Sequence, residues 1–114
     1  MEPKKILVCG LSGSGKSTLA KELAETMDAC WLNADVIREE MNDWDFSPNG
    51  RQRQVNRMNM LSNVLLTAGK SVIADFICPT EETRKVFDAD FTIWLDTTKQ
   101  SKFADTDAIF EKPS

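Results

Sequence analysis

The residues best suited to chemistry lie together in Gly10-Leu11-Ser12-Gly13-Ser14-Gly15-Lys16-Ser17-Thr18. Their spacing fits G-x-x-x-x-G-K-[ST], a phosphate-binding loop. Gly10, Gly13 and Gly15 permit positive φ and a close approach of the backbone to a ligand. The amides of residues 13–18 then face one concavity at a helix start, where the partial positive charge favours phosphate oxygens. Lys16 adds a point charge for the β- and γ-phosphates, and the Ser17 hydroxyl suits Mg²⁺. Asp75 ends an apolar run in a carboxylate, as the segment beside a nucleotide's Mg²⁺ does in such proteins, and Asp35 follows another apolar run. A glycine turn that matches the motif by chance is the competing reading, and the flanks argue against it. The expected ligand is a nucleoside triphosphate.

Such a loop needs a strand before it and a helix after it. Lys5-Ile6-Leu7-Val8-Cys9 is an apolar run of strand length, and Leu19, Ala20, Leu23, Ala24 and Met27 recur at helical spacing over Lys16 to about Met27. Ala29-Cys30-Trp31-Leu32 reads as a second, short strand. Asn33 caps a short helix over Asp35–Met41 that buries Val36, Ile37 and Met41. After a loop to Phe46, Ser47-Pro48 supplies an N-cap with proline at the first helical position. The long helix this starts runs to about Ala68. Met58, Leu61 and Leu65 form its apolar stripe, widened by Val55, Val64 and Ala68, and Gly69 ends it. The stripe continues backwards to Gln54 and Arg51, so two polar side chains lie on the inward face. Either they reach a ligand in a cleft, or they satisfy each other and nearby carbonyls.

Ser71-Val72-Ile73-Ala74-Asp75 is a third strand. Thr80 caps a helix with Glu81 and Glu82 in its first turn. Phe91-Thr92-Ile93-Trp94-Leu95 is a fourth strand. Strands alternating with helices predict an α/β fold, a parallel sheet covered on both faces. Right-handed crossovers then bring all strand C-termini to one edge, where such sheets bind ligands. The phosphate loop, Asn33, Asp35 and Asp75 all fall on that edge. Trp31 and Trp44 read as core and loop anchors, Met27, Met41, Met58 and Met60 as core filler, and Arg38 either as a ligand contact or a solvated charge.

Composition narrows the chemistry. The 114 residues suit one domain and are few for a complete nucleotide kinase. A net charge of −4 and a pI of about 4.8 lack the basic footprint of a nucleic-acid binder, which favours a small-molecule substrate. The absence of histidine excludes a histidine base, a Ser-His-Asp triad and a histidine metal site. Cys9, Cys30 and Cys78 have no C-x-x-C spacing, no signal peptide is evident, and no apolar run approaches the ~20 residues of a membrane span. A reduced, cytoplasmic setting is expected. No N/T-K-x-D guanine-specificity segment is present, which sets GTPases aside and leaves a small-molecule kinase.

Four blocks carry a family resemblance. Gly10 to Ala20 is similar to the phosphate loop of adenylylsulfate (APS) kinases. Leu32-Asn33-Ala34-Asp35-Val36-Ile37-Arg38 resembles their L-D-G-D-N-[IV]-R. Phe46-Ser47-Pro48 with Arg51, Gln54, Val55 and Arg57 resembles F-S-x-x-D-R-x-x-N-[IV]-R-R, and Phe76-Ile77-Cys78-Pro79 resembles F-I-S-P. The match runs from about residue 6 to 96. It implies a three-layer P-loop NTPase fold of the nucleotide-kinase kind, with four strands in order 2-3-1-4 in a single domain over 1–114. It also implies ATP- and Mg²⁺-dependent phosphoryl transfer to the 3′-hydroxyl of adenylyl sulfate, giving 3′-phosphoadenylyl sulfate and ADP. Lys16 and Asp35 would be catalytic, with Asp35 near Mg²⁺ and the attacking hydroxyl. Arg38 and Arg51 would hold the phosphosulfate, Phe46 would stack on adenine, and Gln54 and Ile77 would line the same subsite.

The departures carry information too. Asn33 replaces the first aspartate of its block, Val36 the asparagine, Gln54 another asparagine, and Asn56 an arginine. Asp75 occupies a position the family usually gives to a small or hydroxyl residue; it either supplies the charge that Asn33 lacks or accepts loop hydrogen bonds. Cys78 stands where many members have a phosphorylatable serine. The family's basic lid, fifth strand and last helix have no counterpart in Thr97–Ser114. The expectation is therefore a fourth strand at an open edge, paired in a homodimer or covered by further chain. Two other readings stay open: a kinase for another hydroxyl acceptor, and a lidless ATP-binding module that transfers nothing.

Overall fold

The computed structural model describes residues 2–10, 15–77 and 80–95. Strand β1 (Lys5–Gly10) is buried over its whole length, as an apolar run in the middle of a parallel sheet must be. It lies between β3 (Val72–Asp75) and β4 (Phe91–Leu95), and β2 (Cys30–Asn33) pairs with the far side of β3. All three pairings are parallel and the order is β2-β3-β1-β4, as the resemblance implied.

The strand period of two sorts the side chains between two cores. Ile6, Val8 and Ile73 face helix α1 (Lys16–Met27), where Ala20 and Ala24 are small enough for close approach. Leu7, Cys9, Val72 and Ala74 face the other way, against Val55 and Met58 of α3 (Pro48–Thr67) and Phe87 of α4 (Glu81–Phe87). Phe76 and Phe87 meet edge to face, their centroids 5.2 Å apart. The result is the three-layer α/β/α arrangement. Lys5 is buried at the sheet end remote from the phosphate loop. Its ammonium donates to Asn59 Oδ1 and the Phe87 carbonyl and sits 4.2 Å from the Phe87 ring centroid. That one side chain ties β1 to α3 and α4.

Helix boundaries follow their chemistry. Ser47 caps α3 by accepting from the Gly50 amide, and Pro48 follows at the first turn. Thr80 and Thr83 form a reciprocal capping box at α4. The long helix ends through Gly69 at φ +86°, with the Lys70 amide closing onto the Leu65 carbonyl. Helices α1, α2 (Ala34–Met41) and α4 end instead on Asp28, Asn42 and Asp88 in the left-handed region, which these short polar residues tolerate.

Several details differ from the sequence reading. Strand β2 starts one residue later than expected and takes in Asn33. Helix α2 buries Ala34, Ile37 and Arg38, while Val36 and Met41 are exposed, because its eight residues meet the core along a single narrow face. Val64 and Met60 also point to solvent, and Met58 alone of the expected methionine filler is fully buried. Trp44 is exposed. The expectation about a fifth strand concerns residues outside those described.

Candidate functional site

The C-terminal edge of the sheet opens onto one cleft, and four segments line it. Lys16 and Ser17 come from the start of α1, and Asn33, Ala34, Asp35 and Arg38 from the β2–α2 junction. Phe46, Arg51, Gln54 and Val55 come from the approach to α3 and its first two turns. Asp75, Phe76 and Ile77 come from the exit of β3. Every carboxylate, arginine and aromatic assigned to the site from the sequence is therefore at one place. Gly10, Gly15 and Thr18 are not among its lining residues, while Leu11, Ser12, Gly13 and Ser14 lie outside the described residues.

Gly15 is the residue just before α1 and has φ +94°, which directs the chain from the loop into the helix. No acidic side chain occupies the first turn of α1, so the helix N-terminus keeps its attraction for anions. Burial lowers the pKa of Lys16 from the ordinary lysine value, and Asp75 and then Asp35 oppose that shift. Lys16 thus stands at a helix start within the field of two carboxylates, which offset its charge.

Asn33 connects the site. Its Oδ1 accepts the Val36 amide at 3.0 Å and caps α2. Its Nδ2 donates to Ser17 Oγ at 3.2 Å and to Asp75 Oδ2 at 2.9 Å. Asn33 and Asp75 are register partners across β2 and β3, so their side chains rise on the same face. Trp31, two residues back on that face, donates its indole N–H to Asp75 Oδ2 at 3.1 Å. The sequence reading missed this bond by treating Trp31 as a core anchor; strand parity relative to Asn33 was the available signal.

Arg38 is buried and is not a solvated helix charge. Its Nη1 donates to the Asp43 carbonyl at 2.9 Å and the Asp45 carbonyl at 3.3 Å, and its guanidinium carbon lies 4.5 Å from the Phe46 ring centroid. The loop that carries Phe46 is held from both ends. Arg53 and Arg57 engage Asp43, and Arg53 also reaches Asp45 at 2.9 Å. Gly50 lies so close to Asp45 that a Cβ there would collide with its backbone and carboxyl group.

Gln54 settles part of its two-way reading. Its Nε2 donates to the Ala34 carbonyl at 2.9 Å, while its buried Oε1 meets no hydrogen-bond donor among the described residues. Arg51 lines the cleft from the preceding turn. Among the described residues no three Asp, Glu, Cys or His side chains converge as a metal cage, and no helix is long and apolar enough to cross a membrane.

Comparison with known proteins agrees with this geometry. The family model described as "AAA domain" matches residues 6–94. An adenylyl-sulfate kinase from Geotalea daltonii is 37% identical, the match covering 74% of this chain and 44% of that protein. A shikimate kinase from Actinobacillus pleuropneumoniae is 30% identical over 98% of this chain and 69% of its own length. The Mycobacterium tuberculosis APS kinase in complex with AMPPNP and APS superposes with a TM-score of 0.75 at 28% identity, covering 83% of this chain and 63% of that one. The chain spans about half the length of the curated adenylyl-sulfate kinases it matches. With a phosphate-loop sequence at the head of α1 and a sheet in the expected order, the chain belongs to the AAA-domain family of P-loop proteins and is similar in sequence and fold to adenylyl-sulfate kinases.

Proposed function

We propose that this protein is an ATP-dependent kinase that transfers the γ-phosphoryl group to the 3′-hydroxyl of adenylyl sulfate. The observation that carries the reading is the convergence of Lys16, Ser17, Asp35, Arg38, Phe46 and Arg51 on one cleft at the sheet's C-terminal edge. Phosphoryl transfer asks for in-line positioning and neutralisation of spread charge more than for covalent help. Residues 10–18, with Lys16, cradle the triphosphate. Asp35 orients the acceptor hydroxyl and takes its proton as the bond to phosphorus forms. Arg51 holds the acceptor's anionic group, with Arg38 behind it steadying the Phe46 ring, which offers a face to the base.

The donor set fits Mg²⁺. Ser17, Asp35 and Asp75 offer only oxygen ligands, and Mg²⁺ typically takes one or two carboxylates plus substrate phosphates, so no larger protein cage is needed. Bound there, it would neutralise charge on the β- and γ-phosphates. Gln54 and Ile77 complete the acceptor side. We further place the protein in the cytoplasm as a single domain, and we propose homodimer formation through β4, which is an edge strand among the described residues and exposes Phe91.

The match to a shikimate kinase over most of this chain favours a second reading, a kinase for a different small hydroxyl acceptor. Measuring ADP release from MgATP with no acceptor, with adenylyl sulfate and with shikimate separates the readings. Release stimulated by adenylyl sulfate is the expected result, and stimulation by shikimate alone would establish the second. ATP binding with no stimulated release would mark an ATP-binding module without transfer.

A further inference from the structure

An exposed tryptophan on a strand at the edge of the described sheet, and an asparagine joining that strand to β3 and α1, call for explanation. We propose that Trp31 and Asn33 are positioning residues: together they fix the Asp75 carboxylate and the Ser17 hydroxyl for a magnesium-bound nucleotide. The inference rests on the nucleotide-binding reading above and assigns roles to two residues outside the binding set named there.

The polarity of the cluster carries the argument. The Val36 amide occupies Asn33 Oδ1, so the orientation of the amide group is fixed and Nδ2 faces the cleft. There it serves two acceptors, Asp75 Oδ2 at 2.9 Å and Ser17 Oγ at 3.2 Å. Because Nδ2 donates to the hydroxyl oxygen, the Ser17 hydrogen is directed elsewhere. Asp75 is only 3% exposed, a burial a carboxylate tolerates when N–H donors face it. Both donors reach the same oxygen, Oδ2: the Asn33 amide and the Trp31 indole at 3.1 Å. The carboxylate is thereby held at a fixed angle beside Lys16, whose charge it offsets. Trp31 remains 38% exposed, so its place on β2 is not explained by burial of its ring. Its polar edge explains it.

The test compares ATP affinity by calorimetry in excess Mg²⁺ and in EDTA; the ratio reads the metal's contribution, and EDTA alone reads the phosphate loop. Asn33→Ser keeps a helix-capping oxygen but removes the amide donor. Trp31→Phe keeps the ring and removes the indole N–H. Each is expected to lower the ratio by about tenfold, the scale for losing a group that orients a metal ligand, while leaving affinity in EDTA unchanged. Asp75→Asn should lower the ratio at least as far. Adding Asn33→Asp to it should not restore the ratio, because the reversed pair offers no donor to Ser17 Oγ and leaves no carboxylate on β3. Variants that melt at a lower temperature but keep the parental ratio would overturn the proposal and leave a purely structural cluster. Recovery of the ratio in the reversed pair would overturn the claim that the pair's polarity is what matters. Absence of ATP binding by the parent in both buffers would instead sink the nucleotide reading, and this inference with it.

Discussion

Lys16 and Asp35 share a cleft, and substitution should separate the different tasks proposed for them. Lys16 is half-buried at a helix start, so removing its side chain disturbs little of the core. Lys16→Ala is expected to weaken MgATP binding by about 10²-fold or more, the scale for removing a preorganised charge from a phosphate site. The melting temperature should stay close to the parent's. Calorimetry showing equal affinity in the two proteins would contradict this. Asp35→Asn should leave ATP affinity nearly intact and slow transfer by about 10²-fold or more, as for a positioned acid–base group. Near-parental turnover would shift the role to Asp75. The positions of Lys16 and Asp35 were legible in the sequence because each follows an apolar strand run, and right-handed crossovers bring the strand C-termini to one edge. The Trp31 bond was not, since a side chain's polar partner depends on pairing between β2 and β3, and the two residues are 44 positions apart along the chain.

At the scale of elements, the loop between α2 and α3 sets where Phe46 and Arg38 stand, and two features of α3 hold it. The first is electrostatic. Hydrogen bonds from Arg53, then Arg57, hold the Asp43 carboxyl well below its usual range, and Ser47 with Arg53 lowers Asp45 to about 2. Depressed carboxylates stabilise the fold above their unfolded values, near 3.8, and the contribution is lost as pH falls through the folded values. The gap in melting temperature between the parent and Asp43→Asn should therefore be constant from neutral pH to about pH 5 and close as pH falls further. A gap unchanged at pH 3 would contradict the pairing. Much of this cluster is exposed, so the gap should also narrow in high salt. The second feature is steric. Gly50→Ala should cost about 1–3 kcal/mol, the usual cost of overpacking, because its Cβ would meet Asp45. Denaturant melts measure that, and a neutral result would mean that the loop yields. Helix starts were readable in advance from Ser47-Pro48 and Thr80. The exposure of Val36, Met41 and Val64 was not, because periodicity gives a helix its apolar face but not how much of that face its neighbours cover.

For the whole molecule, strand order was accessible only through resemblance, since hydrophobic runs mark strands without saying which are neighbours. That order has a consequence for how the protein is made. Among the described residues, strand β1 pairs with β3 and β4, and β2 pairs only with β3. During synthesis the first two strands therefore emerge without partners, and both wait for residues 72–75. Until then the phosphate loop has no sheet to stand on, and the apolar run of β1 has only α1 beside it. A chain stopped at residue 71 is expected to lack sheet signal in circular dichroism and to bind no ATP. The full chain should regain both in one cooperative, comparatively slow step, as sheets built from distant segments do. A folded, ATP-binding 1–71 fragment would contradict this. Nascent chains of this protein thus carry an unpaired, mostly apolar strand through much of their translation, and a chaperone that holds such segments has its natural target at Ile6–Val8.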